Sequence, residues 1–203
     1  MIRSRLHRDA GQAFPIYITV VAGLLFLALA YLAVGQAAVR RSDAQTAADA
    51  AALAAAQKTR DQLAGLWLDD LDDPTKWQAI FDGQGGGDFC WRAVQLGAQN
   101  DAEAHCAPDG PLSYVVDART IKSVGDSIVP GTENVHATAH AIAVIEKLCT
   151  FTLPSGDGGG DSLPPLTCRG GKVWNPKPDD TTGLPKPEDL FDVHLADSPA
   201  NDH

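Results

Sequence analysis

The 203-residue chain has room for one modest domain with appendages, and much of its 44% apolar content sits in the first sixty residues. From Ser42 onward it holds 25 acidic against 11 basic residues, a formal charge of −14. That balance argues against a nucleic-acid surface and against electrostatic adhesion to anionic lipid, and implies a solvated acidic domain.

Residues 1–13 carry Arg3, Arg5 and Arg8 and are expected to be cytoplasmic. Phe14 to Val34 follows without a charge. Twenty-one residues at about 1.5 Å each give about 32 Å, matching a hydrocarbon core of roughly 30 Å. A cleaved secretory signal is the competing reading, but apolar regions of such signals run only about 7–15 residues. A single transmembrane helix over 14–39 is therefore expected. The arginine excess on its N-terminal side, over Arg40 and Arg41 on the other, is slight and places the C-terminal domain outside.

No proline occurs between Pro15 and Pro74, so the span is expected to run on as an Ala-rich helical extension over 40–73. Its block "DAQTAADAAALAAAQ", Asp43 to Gln57, does not read as cleanly amphipathic, because Asp43, Thr46, Asp49 and Lys58 scatter round the helix. Small side chains let neighbouring helix backbones come close. Ala48, Ala51 and Ala55, on one i, i+3, i+4 face, are accordingly expected to pack against helices of other proteins.

Residues 74–150 are expected to form a small extracytoplasmic α+β unit. "DGQGGGD" reads as a flexible break, Phe89 to Ala102 as a short helix, and "PLSYVVDARTIKSV" from Pro111 as a strand. Glu133 to Leu148 reads as a second strand, with Val135, Ala137, Ala139, Ala141, Ala143 and Ile145 on one side. Residues 151–203, rich in Gly, Pro and Asp, are expected to be mostly a disordered tail with one disulfide.

The four cysteines, Cys90, Cys106, Cys149 and Cys168, show no C-x-x-C spacing, which points away from a zinc knuckle or a thioredoxin-type site. Three pairings exist. The expected one joins sequence neighbours, Cys90 with Cys106 and Cys149 with Cys168, as suits a core-poor domain outside the cytoplasm.

The remaining candidate chemistry is thin. His136 and His140 have the H-x-x-x-H spacing that a helix uses to hold a metal, but in a strand they stand about 13 Å apart. Asp69, Asp70, Asp72 and Asp73 lack the spaced loop of a calcium site and read as a solvated helix end. Gly83 to Gly87 are not followed by Lys-Ser/Thr and do not make a phosphate loop. No catalytic residue, metal or cofactor is expected.

"RDAGQAFPIYITVVAGLLFLALAYLAVGQAA" followed by "AQTAADAAALAAAQ" resembles the N-terminal region of the TadE/TadG-like Flp pilus-assembly proteins of the tight-adherence system. The likeness covers roughly residues 8–60 and rests on Gly11 and Gln12 opening the span and on Ala47 to Ala56. It implies a non-enzymatic, single-span component of a pilus-assembly apparatus, minor-pilin-like or accessory, with the bilayer and other single-span proteins as partners. Gly11 and Gln12 stand where a prepilin peptidase would cut. The fifth position from Gly11 is Ile16, where such pilins usually carry glutamate, so an uncut anchor is expected. An anchored binding module unrelated to pili, or an enzyme with a site assembled from distant residues, are the alternative classes.

Overall fold

The computed structural model describes residues 13–123, 134–153, 163–177 and 183–196. Helix α1, Ala13–Asp69, runs unbroken for 57 residues, about 85 Å. It stops where Pro74 approaches, since proline cannot supply an interior N–H. Asp73 caps the next helix, α2 (Pro74–Phe81), accepting from the Thr75 N–H at 3.3 Å, and Pro74 occupies the first turn, where its missing donor costs nothing. The Trp77 indole donates to the carbonyl of Asp70 at 3.0 Å, satisfying one of the acceptors left open where α1 ends.

Helix α3 (Cys90–Gln99) leads into β1 (Ala102–Pro108), β2 (Ser113–Thr120) and β3 (Thr138–Lys147). With β7 (Phe191–Leu195) these form one antiparallel sheet in the order β1-β2-β3-β7. Three short strands, β4 (Cys149–Thr150), β5 (Leu166–Cys168) and β6 (Val173–Trp174), make a second sheet, and one turn of helix, α4 (Pro187–Leu190), precedes β7. The fold is mixed α+β.

Helices α1 and α3 lie against one face of the four-stranded sheet. Along β2 the inward positions are Tyr114, Val116, Ala118 and Thr120, and along β3 they are Ala141, Ala143 and Ile145, the period-2 pattern of a half-buried strand. The core changes character along α1. Ala44 to Ala56 face Ala118, Ala141 and Ala143, whereas the far end is filled by Leu63, Trp67, Trp77, Phe81, Leu190 and Phe191. There Trp77 meets Trp67 and Phe151 at centroid distances of 5.4 and 5.3 Å, and Phe81 meets Phe191 at 5.3 Å, the spacing of tilted and edge-on aromatic pairs. Helix α3 approaches β1 so closely that a Cβ at Gly97 would stand 2.6 Å from that of Ala104, so only glycine fits there.

Two expectations are corrected. The described parts of 151–203 are folded rather than disordered: Leu166–Cys168 and Val173–Trp174 pair as strands, and β7 supplies the fourth strand of the main sheet. The reason is local apolar content within a polar segment, with Leu166, Leu190 and Phe191 fully buried. The glycine-rich stretch is an ordered turn rather than a flexible break. The Gly87 N–H donates to Gln62 at 2.6 Å, and the Gly87 carbonyl accepts from the Tyr114 hydroxyl at 3.0 Å.

Candidate functional site

Helix α1 has two halves with opposite relations to the rest of the chain. From Pro15 onward its apolar stretch is long and apolar enough to cross a membrane, and that stretch is not buried against the protein. Ile16, Leu24, Leu25, Phe26, Leu27, Tyr31 and Val34 all expose most of their surface. Exposed apolar surface on every side of a helix is costly in water and costs nothing in lipid. Gly11 and Gln12, the processing motif, lie outside the described residues.

The second half is the strut of the folded domain. Ala44, Ala47, Ala48, Ala51, Ala52, Ala55 and Ala56 are all completely buried, followed by Thr59, Leu63, Ala64 and Trp67. These positions recur every three or four residues. The helix is therefore amphipathic once alanine counts as the apolar side, with Asp43, Gln45, Thr46, Gln57 and Lys58 on the exposed side. This corrects the expectation that Ala48, Ala51 and Ala55 meet helices of other proteins, because they are enclosed by the chain's own sheet and α3. The dense alanine lets a sheet and a second helix reach the backbone of α1. Each buried methyl contributes only about 0.8 kcal/mol, so the proximal core depends on close packing and the distal one on bulk.

A polar knot fastens this strut. Thr59 Oγ1 and the Tyr114 hydroxyl are 2.7 Å apart, both buried. Tyr114 donates its single proton to the Gly87 carbonyl and accepts from the Phe89 N–H at 3.3 Å, which leaves Thr59 as the donor to Tyr114. One hydroxyl thus ties α1, β2 and the glycine turn together.

The cysteines pair as expected. Cys90 bonds to Cys106, linking α3 to β1, and Cys149 bonds to Cys168, linking β4 to β5. Neither pair offers a free thiol for nucleophilic chemistry.

The other sequence candidates are not brought together into one site. His140 lies exposed in β3 with Nδ1 2.9 Å from Asp117, while His136 precedes the strand with Nδ1 2.7 Å from the Thr120 carbonyl. Asp70 and Asp73 both face Lys76. The hydrogen bond from Thr75 lowers the Asp73 pKa, and the hydrogen bond to Asp70 raises that of Lys76. A cluster not visible in the sequence is Glu146, Asp192 and His194, whose ligand atoms lie within 4.8 Å of one another. The β3–β7 register creates it by setting Glu146 opposite Asp192. The Arg169 guanidinium stands 2.6 Å from Glu146 and 3.9 Å from Asp192, so the carboxylates already face a cation. Its bond to Glu146 and their mutual attraction raise the Arg169 pKa above its usual value.

A polar cleft of about 340 Å³ opens where α1 enters the domain, lined by Arg40, Asp43 and Thr46 of α1, Asn100 and Asp101 after α3, and Thr120 and Lys122 at the end of β2. It marks the end of the domain nearest the apolar half of α1.

No curated protein and no solved structure matches the chain. A family model does, and that family is a pilus-assembly type rather than an enzyme class. Its match begins at the entrance to the apolar helix and ends within the buried strut: residues 11–58 belong to the family described as "Putative Flp pilus-assembly TadE/G-like".

Proposed function

We propose that this protein is a single-span, membrane-anchored component of a Tad/Flp-type pilus-assembly or secretion apparatus, minor-pilin-like or accessory in role. In this reading residues 1–13 are cytoplasmic, 14–39 cross the bilayer, and the disulfide-linked domain stands outside. The observation that carries it is the continuity of α1. One helix supplies an unburied apolar half and then the central strut of a folded domain, and the family match spans the junction. An anchor that is also a core element holds its domain at a fixed height and orientation, as a component of an assembly requires. Two disulfides are in keeping with an oxidising compartment outside the cytoplasm. The protein acts by contact rather than by catalysis. Because the alanine face is occupied internally, contacts with other single-span components fall to the exposed half of α1 and to the outer surface of the domain.

Deletion of the gene tests this reading. Pilus display or the linked secretion should be lost, restored by the full chain, and not restored by a secreted form beginning at Ser42. Photo-reactive residues at Leu25 and Leu29 should capture other single-span proteins of the system. Full restoration by the unanchored form would refute the anchored role. Unchanged pili and secretion after deletion would favour an anchored binding module.

A further inference from the structure

The end of the domain nearest the span carries two exposed aliphatic side chains, Ile121 and Val135, at 54% and 48% exposure. They are neighbours through the backbone: the His136 ring bonds the Thr120 carbonyl at 2.7 Å, and the Ala137 N–H donates to Thr120 Oγ1 at 3.1 Å. Their height relative to α1 is fixed by the cleft that Thr120 and Lys122 share with Arg40, Asp43 and Thr46. The long bond of 3.4 Å from Gln45 to the His140 carbonyl places the start of β3 at the same level.

We infer that Ile121 and Val135 form a foot that seats the domain in the lipid headgroup layer of the membrane that α1 spans. The inference rests on the anchored reading above and adds to it where the domain sits. From Val34, the end of the uncharged run, to Arg40 is six residues, about 9 Å of helix. The headgroup layer on one side of a bilayer is about 5–8 Å deep. The first buried alanine, Ala44, comes only four residues after Arg40, so no stalk separates domain from membrane. Residues level with Arg40 to Thr46 therefore lie in or against the headgroups.

The charge at this end suits that layer. The domain as a whole is strongly acidic, yet here Lys122 pairs with Asp101 at 2.9 Å and Arg40 with Asp43 at 3.5 Å, leaving the foot near neutral. Aliphatic side chains beside lysine and arginine are the composition that lies in an interface without spanning it, the long basic side chains reaching the headgroups. Such anchors, with packing, set the rotation and tilt of a single helix. The foot thus fixes the direction in which the domain presents its outer surface.

Photo-reactive residues test this in the full chain, purified and reconstituted into phosphatidylcholine nanodiscs. They are placed singly at Ile121, at Val135, at Leu27 within the span, and at Leu68, which is exposed near the far end of α1. Lipid adducts are expected at positions 27, 121 and 135 and absent at 68. Adducts at 27 alone would overturn the foot while leaving the anchored reading intact. No adduct at 27 would overturn both, and a cross-link from 121 or 135 to a second copy of the chain would replace the lipid contact with a protein one.

Discussion

Replacing Ala51 by leucine should unfold the domain at lower denaturant than wild type, and the size of the loss follows from its surroundings. Ala51 is completely buried in the middle of the stripe that faces the sheet, where the opposing positions are themselves alanines. Leucine has nearly the same helix propensity, so the helix itself is unaffected. It adds three carbons to a gap closed to one methyl on each side, and overpacking of this kind costs about 1–3 kcal/mol. For a chain of this size that lowers the melting temperature by roughly 2–4 °C per kcal/mol. Urea unfolding of the detergent-solubilised chain, followed through the buried Trp67 and Trp77, measures it. Gln57→Leu, on the exposed side of the same helix, serves as the control. Adding Ala48→Leu and Ala55→Leu should deepen the loss less than additively, because the three sites share neighbours. If the triple variant unfolds at the same midpoint as Gln57→Leu, the alanine stripe is not a core and the internal packing described here is wrong.

Tyr114→Phe removes the hydroxyl shared by Thr59, Gly87 and Phe89, leaving buried polar groups without their partner; a loss of about 1–3 kcal/mol is expected in the same urea assay. Non-reducing peptide mapping should recover Cys90–Cys106 and Cys149–Cys168, and reducing either pair, with sequence separations of 16 and 19, should cost about 3 kcal/mol on the loop-entropy estimate. Acid should weaken the link between α2 and β3. The hydrogen bond from Lys147, with a second from Gln78, holds the Asp82 carboxyl below its ordinary pKa. Its contribution is thus present above the unfolded carboxylate value near 4 and is lost as pH falls through the lower folded value. Asp82→Asn should remove that part of the pH dependence, by under about 1 kcal/mol for so exposed a pair, as pH-dependent melting would show.

The long helix, α3, β2, β3 and the disulfide pairing were legible because each leaves a local signature: length without proline, apolar periodicity, or sequence-neighbour cysteines. Strand β1, "AEAHCAP", carries alanine and glutamate, which are poor strand formers, and is held by pairing to β2 and by the bond from Cys106 to Cys90. Strand β7, "FDVHL", is five residues in a Pro- and Asp-rich stretch; it becomes a strand because β3 offers an edge and Phe191 has a place in the aromatic cluster. The role of Ala48, Ala51 and Ala55 was misread for a physical reason. Alanine packs as well against a sheet as against a helix, and only the alanines of β2 and β3, distant in sequence, show which surface meets them. The cleft and the foot beside it join residues from α1, the end of α3 and the β2–β3 region, so no local pattern announces them.

The central claim is that one helix anchors an external domain, and its most direct test is topology in intact cells. With one epitope before Met1 and another after His203, external protease should remove the C-terminal epitope. The N-terminal epitope should remain on a membrane fragment that carbonate does not extract. Protection of the C-terminal epitope, or release of the whole chain by carbonate, would contradict the account.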